Sequence, residues 1–322
     1  MAQDQDPRAR VVCFGETMAQ LVPDDGLSLS TAATFTLRTA GAESNVAQAL
    51  AQLGIPVSWV SRLGEDALGE RITRDLAATG VDVSAVRFLP GRRTGLFLKD
   101  PGPHGSTVTY YRTGSAASTM SPADVDTALA FQPAVLHLSG VTPALSDSCA
   151  AAIRHALTAC RAQGVHASFD VNYRPALWPS PAVAANQLLD LANAADTVFV
   201  GLDEAEALWG LDSATEVRRL IGRPSTLVVK DGARAAVSFG RADEPVVVPA
   251  LPIAVREPVG AGDAFASGWL YGRLHDLPYT ARLRLGHLMA GAALTSLGDH
   301  FTIPDTPERL LAVACASNWA GG

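Results

Sequence analysis

The sequence predicts an α/β fold on a mainly parallel sheet, and three observations carry that expectation. Short β-branched runs recur along the chain, as in RVVCFG, AVLHLSG and TVFVG. Amphipathic helical segments stand between them, which is the rhythm of βαβ units. The 322 residues are 48% hydrophobic and 18% charged, enough apolar material for one large domain or two modest ones.

The elements follow in order. RVVCFG reads as the first strand, ending at Gly15, and residues 17–39 read as short strands and turns. In SNVAQALAQLG, Val46, Ala49, Leu50 and Leu53 recur at helical spacing and Gly54 stands where a C-terminal cap belongs. VSWVSRLG is strand-like, and DALGERITRDLAATG predicts a helix with Leu68, Ile72 and Leu76 on one face. The segment from Arg93 to Arg112 breaks the rhythm: TGLFLKD and STVTYYR flank the turn-rich PGPHG as a hairpin. With residues 17–39 it forms a candidate second, smaller sheet. The alternation resumes with AVLHLSG, a helix near 146–163, VHASFDV, a helix near 182–194, and TVFVG. TLVVKDGARAAVSFG reads as two strands about a turn, and helices near 263–274, 280–296 and 306–316 finish the chain.

A net charge of −7 argues against a general nucleic-acid binder, whose footprint is basic. Cys13, Cys149, Cys160 and Cys315 lie far apart without a CxxC pair, which gives no support to a zinc site or a disulfide framework. Cys13 and Cys315 stand in apolar stretches and are expected to be buried, reduced thiols. The polar N-terminus MAQDQDPRAR has no signal-peptide core, and no run approaches the roughly 20 apolar residues of a membrane span, so the expectation is a soluble cytoplasmic protein.

Chemistry concentrates in a few stretches. In EPVGAGDAF, Gly260 and Gly262 allow close approach of a ligand to the chain, and the helix that follows aims its free amides and positive dipole end at an anion. Asp263 beside that site is a candidate acceptor for the proton of an attacking hydroxyl; the competing reading makes it an N-cap. Phe265 excludes a GxGxxG dinucleotide fingerprint, and no GxxxxGK[ST] loop occurs. AGAESN could present Gly41 and Asn45 to a polyhydroxy ligand, or Asn45 could cap its helix. TYYR places Tyr110, Tyr111 and Arg112 at the end of the hairpin. FDVNYRP places Asp170, Asn172 and Arg174 beyond a strand end, where open α/β sheets bind ligands. Pro175 steers Arg174 toward extended backbone. Two arginines on one pocket would suit an acidic sugar, since a guanidinium matches a carboxylate's two oxygens.

GAESN and GAGD, in this order and about 215 residues apart, together resemble the two signature regions of the ribokinase-like (PfkB family) carbohydrate kinases, and the resemblance runs over essentially the whole chain. It implies one kinase domain over residues 1–322, a three-layer sandwich with a mainly parallel central sheet, and a small β-sheet lid from about 16–39 and 93–113. It implies that Gly41 and Asn45 contact the sugar. Gly260, Ala261 and Gly262 would hold the transferring phosphoryl group through their amides, and Asp263 would be the catalytic base. Lys230 and Gly232, with Gly260 and Gly262, would face the nucleotide, and the helix around His287–Ala290 would flank the adenine, with His287 itself as packing. The family's Asn-x-x-Glu motif is GLDE here, which keeps Glu204 for indirect, water-mediated Mg2+ placement but puts Gly201 in place of asparagine. Glu257 and Pro258 stand where the family often has Asp-Thr, which bears on K+ as a further candidate cofactor.

The YYR and FDVNYRP stretches, LHLSG and the GDH of Gly298–His300 are similar to those of 2-keto-3-deoxygluconate kinases. That similarity implies Tyr110, Tyr111, Arg112, Asn172 and Arg174 as substrate contacts. Fructokinases share the Asn-x-Arg…Leu-Trp pattern, so Arg174 and Trp178 do not separate the two substrates. The expected protein is an ATP- and Mg2+-dependent sugar kinase, a homodimer or higher homo-oligomer through the lid, with no nucleic-acid or membrane partner. A fructokinase and a non-catalytic sugar-binding regulator stand as alternatives.

Overall fold

Successive side chains of the first strand, β1 (Val11–Phe14), enter two different cores: Val11 and Cys13 one, Val12 and Phe14 the other. A strand buried on both faces needs helices on both, and its residues need no polar alternation. The computed structural model describes residues 10–24, 26–102, 106–242, 244–256, 259–296, 302–317 and 319.

After β1 come β2 (Met18–Pro23), β3 (Phe35–Ala40), α1 (Ala42–Gln52), β4 (Val57–Val60), β5 (Arg62–Gly64), α2 (Ala67–Ala78) and β6 (Arg87–Leu89). The chain continues through β7 (Leu96–Asp100), β8 (Thr107–Tyr111), α3 (Pro122–Leu129), β9 (Val135–Ser139), α4 (Asp147–Gln163), β10 (His166–Asp170) and α5 (Pro181–Ala194). It then runs through β11 (Thr197–Gly201), α6 (Leu202–Trp209), α7 (Ala214–Leu220), β12 (Thr226–Asp231), β13 (Ala235–Phe239) and β14 (Pro245–Pro249). Three helices follow: α8 (Ala261–Leu274), α9 (Tyr279–Thr295) and α10 (Pro307–Cys315).

The main sheet has the order β14-β13-β12-β11-β10-β9-β1-β4, parallel from β4 to β12 and antiparallel at β13 and β14. Helices α3 to α7 cover one face and α1, α2, α8, α9 and α10 the other, which makes the three layers. Trp269 of α8 is fully buried and meets Phe199 of β11 edge-on at 5.4 Å. As expected, the two segments that interrupt the alternation form a second sheet of order β3-β2-β7-β8. Met18, Ala40 and Phe97 make its small core, while all five residues of β8 are exposed.

Several local expectations are corrected. VSWVSRLG is two strands: the chain leaves the main sheet at Ser61, and β5 pairs with β6 instead. The short helices α3, α6 and α7 and the edge strand β14 carry too few periodic residues to announce themselves. Cys315 is exposed, because α10 turns Leu310 and Ala314 inward and Cys315 lies one residue past that face; all four cysteines are free. No helix among the described residues is long and apolar enough to cross a membrane.

Candidate active site

The main sheet adds β4 on one side of β1 and β9 to β12 on the other, so the switch point lies beside β1. Ligands of open α/β sheets bind outside the carboxyl ends of the strands there. Glu16 follows β1, Ser139 ends β9, Asp170 ends β10, Glu204 sits just past β11 and Lys230 is near the end of β12. A set of charged and polar residues scattered over more than 200 positions thus arrives at one edge.

Helix α8 points its N-terminus at this edge. Its N-cap is Gly260, at φ 81°, a left-handed backbone that glycine adopts without a Cβ clash. The first intrahelical bond is Ala264 N to Gly260 O, 2.9 Å, so the amides of Ala261, Gly262 and Asp263 precede the ladder. Asp263 is therefore the third helical residue and not the N-cap.

Its carboxylate is held from two other elements. Asn45 Nδ2 donates to Oδ2 at 2.8 Å and Asn172 Nδ2 donates to Oδ1 at 3.3 Å. Asn45 does not cap α1 either: Gly41 is the N-cap, Asn45 N donates to Gly41 O at 2.8 Å, and the side chain is left to cross to Asp263. Gly41 itself is required by close approach, since a Cβ there would stand 2.4 Å from the Glu16 carbonyl oxygen. Asn172 has φ 40°, a conformation asparagine tolerates better than most residues and that recurs at functional sites. The Oδ1 atoms of Asn45 and Asn172 are buried with no hydrogen-bond partner, two acceptors beside the carboxylate for the hydroxyls of a ligand.

Around this triad lies a buried charge cluster. Lys230 Nζ donates to both oxygens of Asp170, at 3.0 and 3.3 Å. The same ammonium would lie 3.3 Å from a Cβ placed on Gly262, so it borders the helix N-terminus as well. Glu204 accepts the backbone amides of Tyr173 and Gly201, each at 2.8 Å, and Arg174 Nη1 is 4.0 Å from it. Glu204 is thus inside the site and not on a helix surface. Burial pushes the Asp263 carboxyl up to about 7, Asp170 adds to that, and the Asn45 bond, Arg174 and Lys230 offset part of it. Burial also raises Glu204, against Lys230. For Lys230 burial pulls down, but Asp170 and Glu204 outweigh it and the net shift is upward.

The other expected residues stand elsewhere. Gly232 is in the β12–β13 turn at φ 51°. Arg174 has the extended backbone expected before Pro175 and donates to Tyr173 O at 3.1 Å. Arg112, just past β8, is buried and ion-paired with Glu16, and its guanidinium lies over the Tyr110 ring at 5.5 Å. Tyr111 is exposed. The two arginines therefore rest on two different protein carboxylates, Glu16 and Glu204. His287 Nε2 lies 3.1 Å from Val248 O in a packed setting against Phe265. Glu257, Pro258 and Gly298–His300 lie outside the described residues.

Three acidic residues at or beside the site are given no role by the sequence. Asp170 is legible at its strand end, Glu43 stands inside GAESN, and Glu16 has no motif of its own. Glu43 is fully buried, accepts Ser139 Oγ at 2.8 Å and Thr142 Oγ1 at 3.0 Å, and burial pushes its carboxyl up to about 7. A signal existed: Glu43 is the one charged residue in a helix segment that is buried from Glu43 to Leu50.

A helix N-terminus beside a lysine can hold an anion, and a carboxylate held between two asparagines can accept the proton of a hydroxyl. The model of the pfkB family carbohydrate kinases matches residues 8–306. A 2-dehydro-3-deoxygluconokinase of Bacillus subtilis (strain 168) is 36% identical over 303 residues, with 93% of each chain covered. The crystal structure of a PfkB protein from Polaromonas sp. JS666 superposes with a TM-score of 0.85 at 36% identity, covering 94% of this chain and 99% of that one. A fructokinase from Xylella fastidiosa with bound ATP gives a TM-score of 0.79 at 25% identity, covering 95% and 98%. The chain belongs to the PfkB family and is a sugar kinase.

Proposed function

We propose that this kinase transfers the γ-phosphoryl group of ATP to the 6-hydroxyl of 2-keto-3-deoxygluconate. The observation that carries the chemistry is Asp263, held between Asn45 and Asn172 at the N-terminus of α8. One carboxylate oxygen takes the proton of the acceptor hydroxyl as the oxygen of that hydroxyl attacks the γ-phosphorus and the bond from the γ-phosphorus to the β,γ-bridging oxygen breaks, leaving ADP. The amides of Ala261 and Gly262 and the Lys230 ammonium face the charge that spreads over the transferring group. A carboxyl raised to about 7 suits a base working near neutral pH.

The donor set fits Mg2+ held mostly by water and substrate phosphate. Glu204 and Asp170 are hard oxygen donors already engaged by amides and by Lys230, and no group of three or more ligating side chains occurs among the described residues. When bound, Mg2+ supplies charge neutralisation on the phosphates. Glu204 and Asp170 would orient its water shell, and Gly201 contributes no side chain to it.

For the sugar, Arg112 supports an acid over a neutral ketose, since its buried Nε keeps a donor that the Glu16 pair does not use. The name of the Bacillus subtilis relative supports the same choice, and fructose is the second reading because of the fructokinase likeness. The test is ADP release with Mg·ATP and 2-keto-3-deoxygluconate, fructose or ribose in parallel. A higher kcat/KM for the keto-deoxy acid is expected, and faster turnover of fructose would overturn the substrate while leaving the kinase. A non-catalytic regulator would show no turnover of any of the three.

The small sheet is read as a lid, and the exposed β8, with Val108, Tyr110 and Tyr111, as the face that meets a second copy. Sedimentation velocity is expected to give a dimer or larger species, and a monomer at micromolar concentration would overturn this.

A further inference from the structure

Among the carboxylates at the switch point for which phosphoryl transfer has no use is Glu16, between β1 and β2, where the chain passes from the main sheet to the small one. Its side chain is buried, and both oxygens are engaged by groups nearly a hundred positions away. Arg112 Nη2 donates to Oε2, and Ser115 Oγ donates to Oε1 at 2.7 Å. Gly95 leaves room for it, since a Cβ there would meet Oε1 at 3.0 Å. Its backbone carbonyl is the atom against which Gly41 packs. One residue therefore touches both the helix that carries Asn45 and the arginine at the end of β8.

Arg112 is 9% exposed, yet its Nε has no hydrogen-bond partner. A buried, unpartnered donor on a cation is costly unless something arrives to accept it. The guanidinium lies near enough to Glu43, two residues before Asn45 on α1, to pull the carboxyl of that residue down against its burial. Surrounded by water, an arginine samples many rotamers; clamped at Nη2, it keeps its planar fork in one orientation.

We infer that Glu16 is a positioning residue for acid-sugar selectivity, holding Arg112 by one nitrogen so that its remaining donors meet the substrate carboxylate. This rests on the acid-sugar reading above. Two other roles predict differently. A competitor for Arg112 would weaken acid binding, and a purely structural ion pair would affect every substrate alike.

The test compares wild type, Glu16→Gln and Glu16→Asp in steady-state kinetics with 2-keto-3-deoxygluconate and Mg·ATP, with calorimetric titration of the sugar alone. In Glu16→Gln the amide offers one oxygen where the carboxylate uses two, and no charge. The expected result is a rise of about 10- to 100-fold in KM and Kd for the acid sugar. The KM for ATP and kcat at saturating sugar should stay within about twofold, and Glu16→Asp should recover part of the loss. A fall in KM for the acid overturns the inference in favour of competition. Parallel changes in KM for both substrates, or no change in either, overturn it as well. If Glu16→Gln does not fold, Glu16→Asp is read by the same ratio of the two KM values. Failure of the acid-sugar reading itself would be visible in the wild type, as no preference for the acid over fructose.

Discussion

Replacing Asp263 by asparagine should lower kcat by about 10²- to 10⁴-fold, the usual range for a positioned general base, while sugar binding by calorimetry persists. Asparagine has nearly the same shape and one oxygen to accept from Asn45 or Asn172, so the cradle survives while proton acceptance is lost. In the wild type, kcat should rise with pH through about 7, because only the ionised carboxyl accepts a proton. The ascending limb should vanish in Asp263→Asn. Retention of more than a tenth of wild-type kcat would remove Asp263 from the chemistry.

The same residue has a second, thermodynamic signature. Asp263 and Glu43 are both raised to about 7, so between roughly pH 4 and 7 the folded protein keeps protons that the unfolded chain has released. Stability from these two groups is complete at low pH and is lost as pH rises through their folded values. Urea midpoints should therefore fall across that window, and fall less in Asp263→Asn. An unchanged slope in the variant would mean that this carboxyl is not protonated in the native state.

Lys230→Met is the second large effect. The ammonium is the nearest counter-charge for Asp170, which is 2% exposed, and also bears on Glu204 and Asp263. Removing one partner of a buried pair costs about 3–5 kcal/mol, because the other charge stays behind unpaired. Activity should fall by about 10²-fold or more, since the helix N-terminus loses its neighbouring cation. Lys230→Met with Asp170→Asn separates the two consequences. It should recover most of the urea midpoint and little of kcat. Recovery of both would make Lys230 a structural partner alone, and recovery of neither would place its stabilising contacts elsewhere.

The sequence alone determined what is local. A β-branched run needs burial and a 3.6-residue apolar period needs one covered face, so the α/β class, a mainly parallel sheet and most of the helices could be read directly, while the three-layer arrangement came with the family resemblance. The extended Arg174 before Pro175 and the pairing of two glycine-bearing motifs with one family came from the same short-range information. It also isolated the two segments that form the small sheet, because their alternation departs from that of the rest.

Only the tertiary structure decided who faces whom. Asn45 and Asp263 are 218 positions apart, and in the sequence each taken alone reads as an ordinary capping residue; the packing of α1 against α8 makes them a bonded pair. Lys230 lies two residues from a turn glycine, yet its ammonium turns to Asp170, because β10, β11 and β12 run side by side with Asp170 level with Phe199 and Val228, two residues short of Lys230 and so on the same face of the sheet. Arg112 reads in the sequence as free to meet a ligand and is clamped by Glu16, a carboxylate nearly a hundred positions earlier that the pairing of β2, β7 and β8 brings to the same end of the small sheet. Charge pairing at long range follows from where strands end in the sheet, and strand order is not a property of any one stretch of chain.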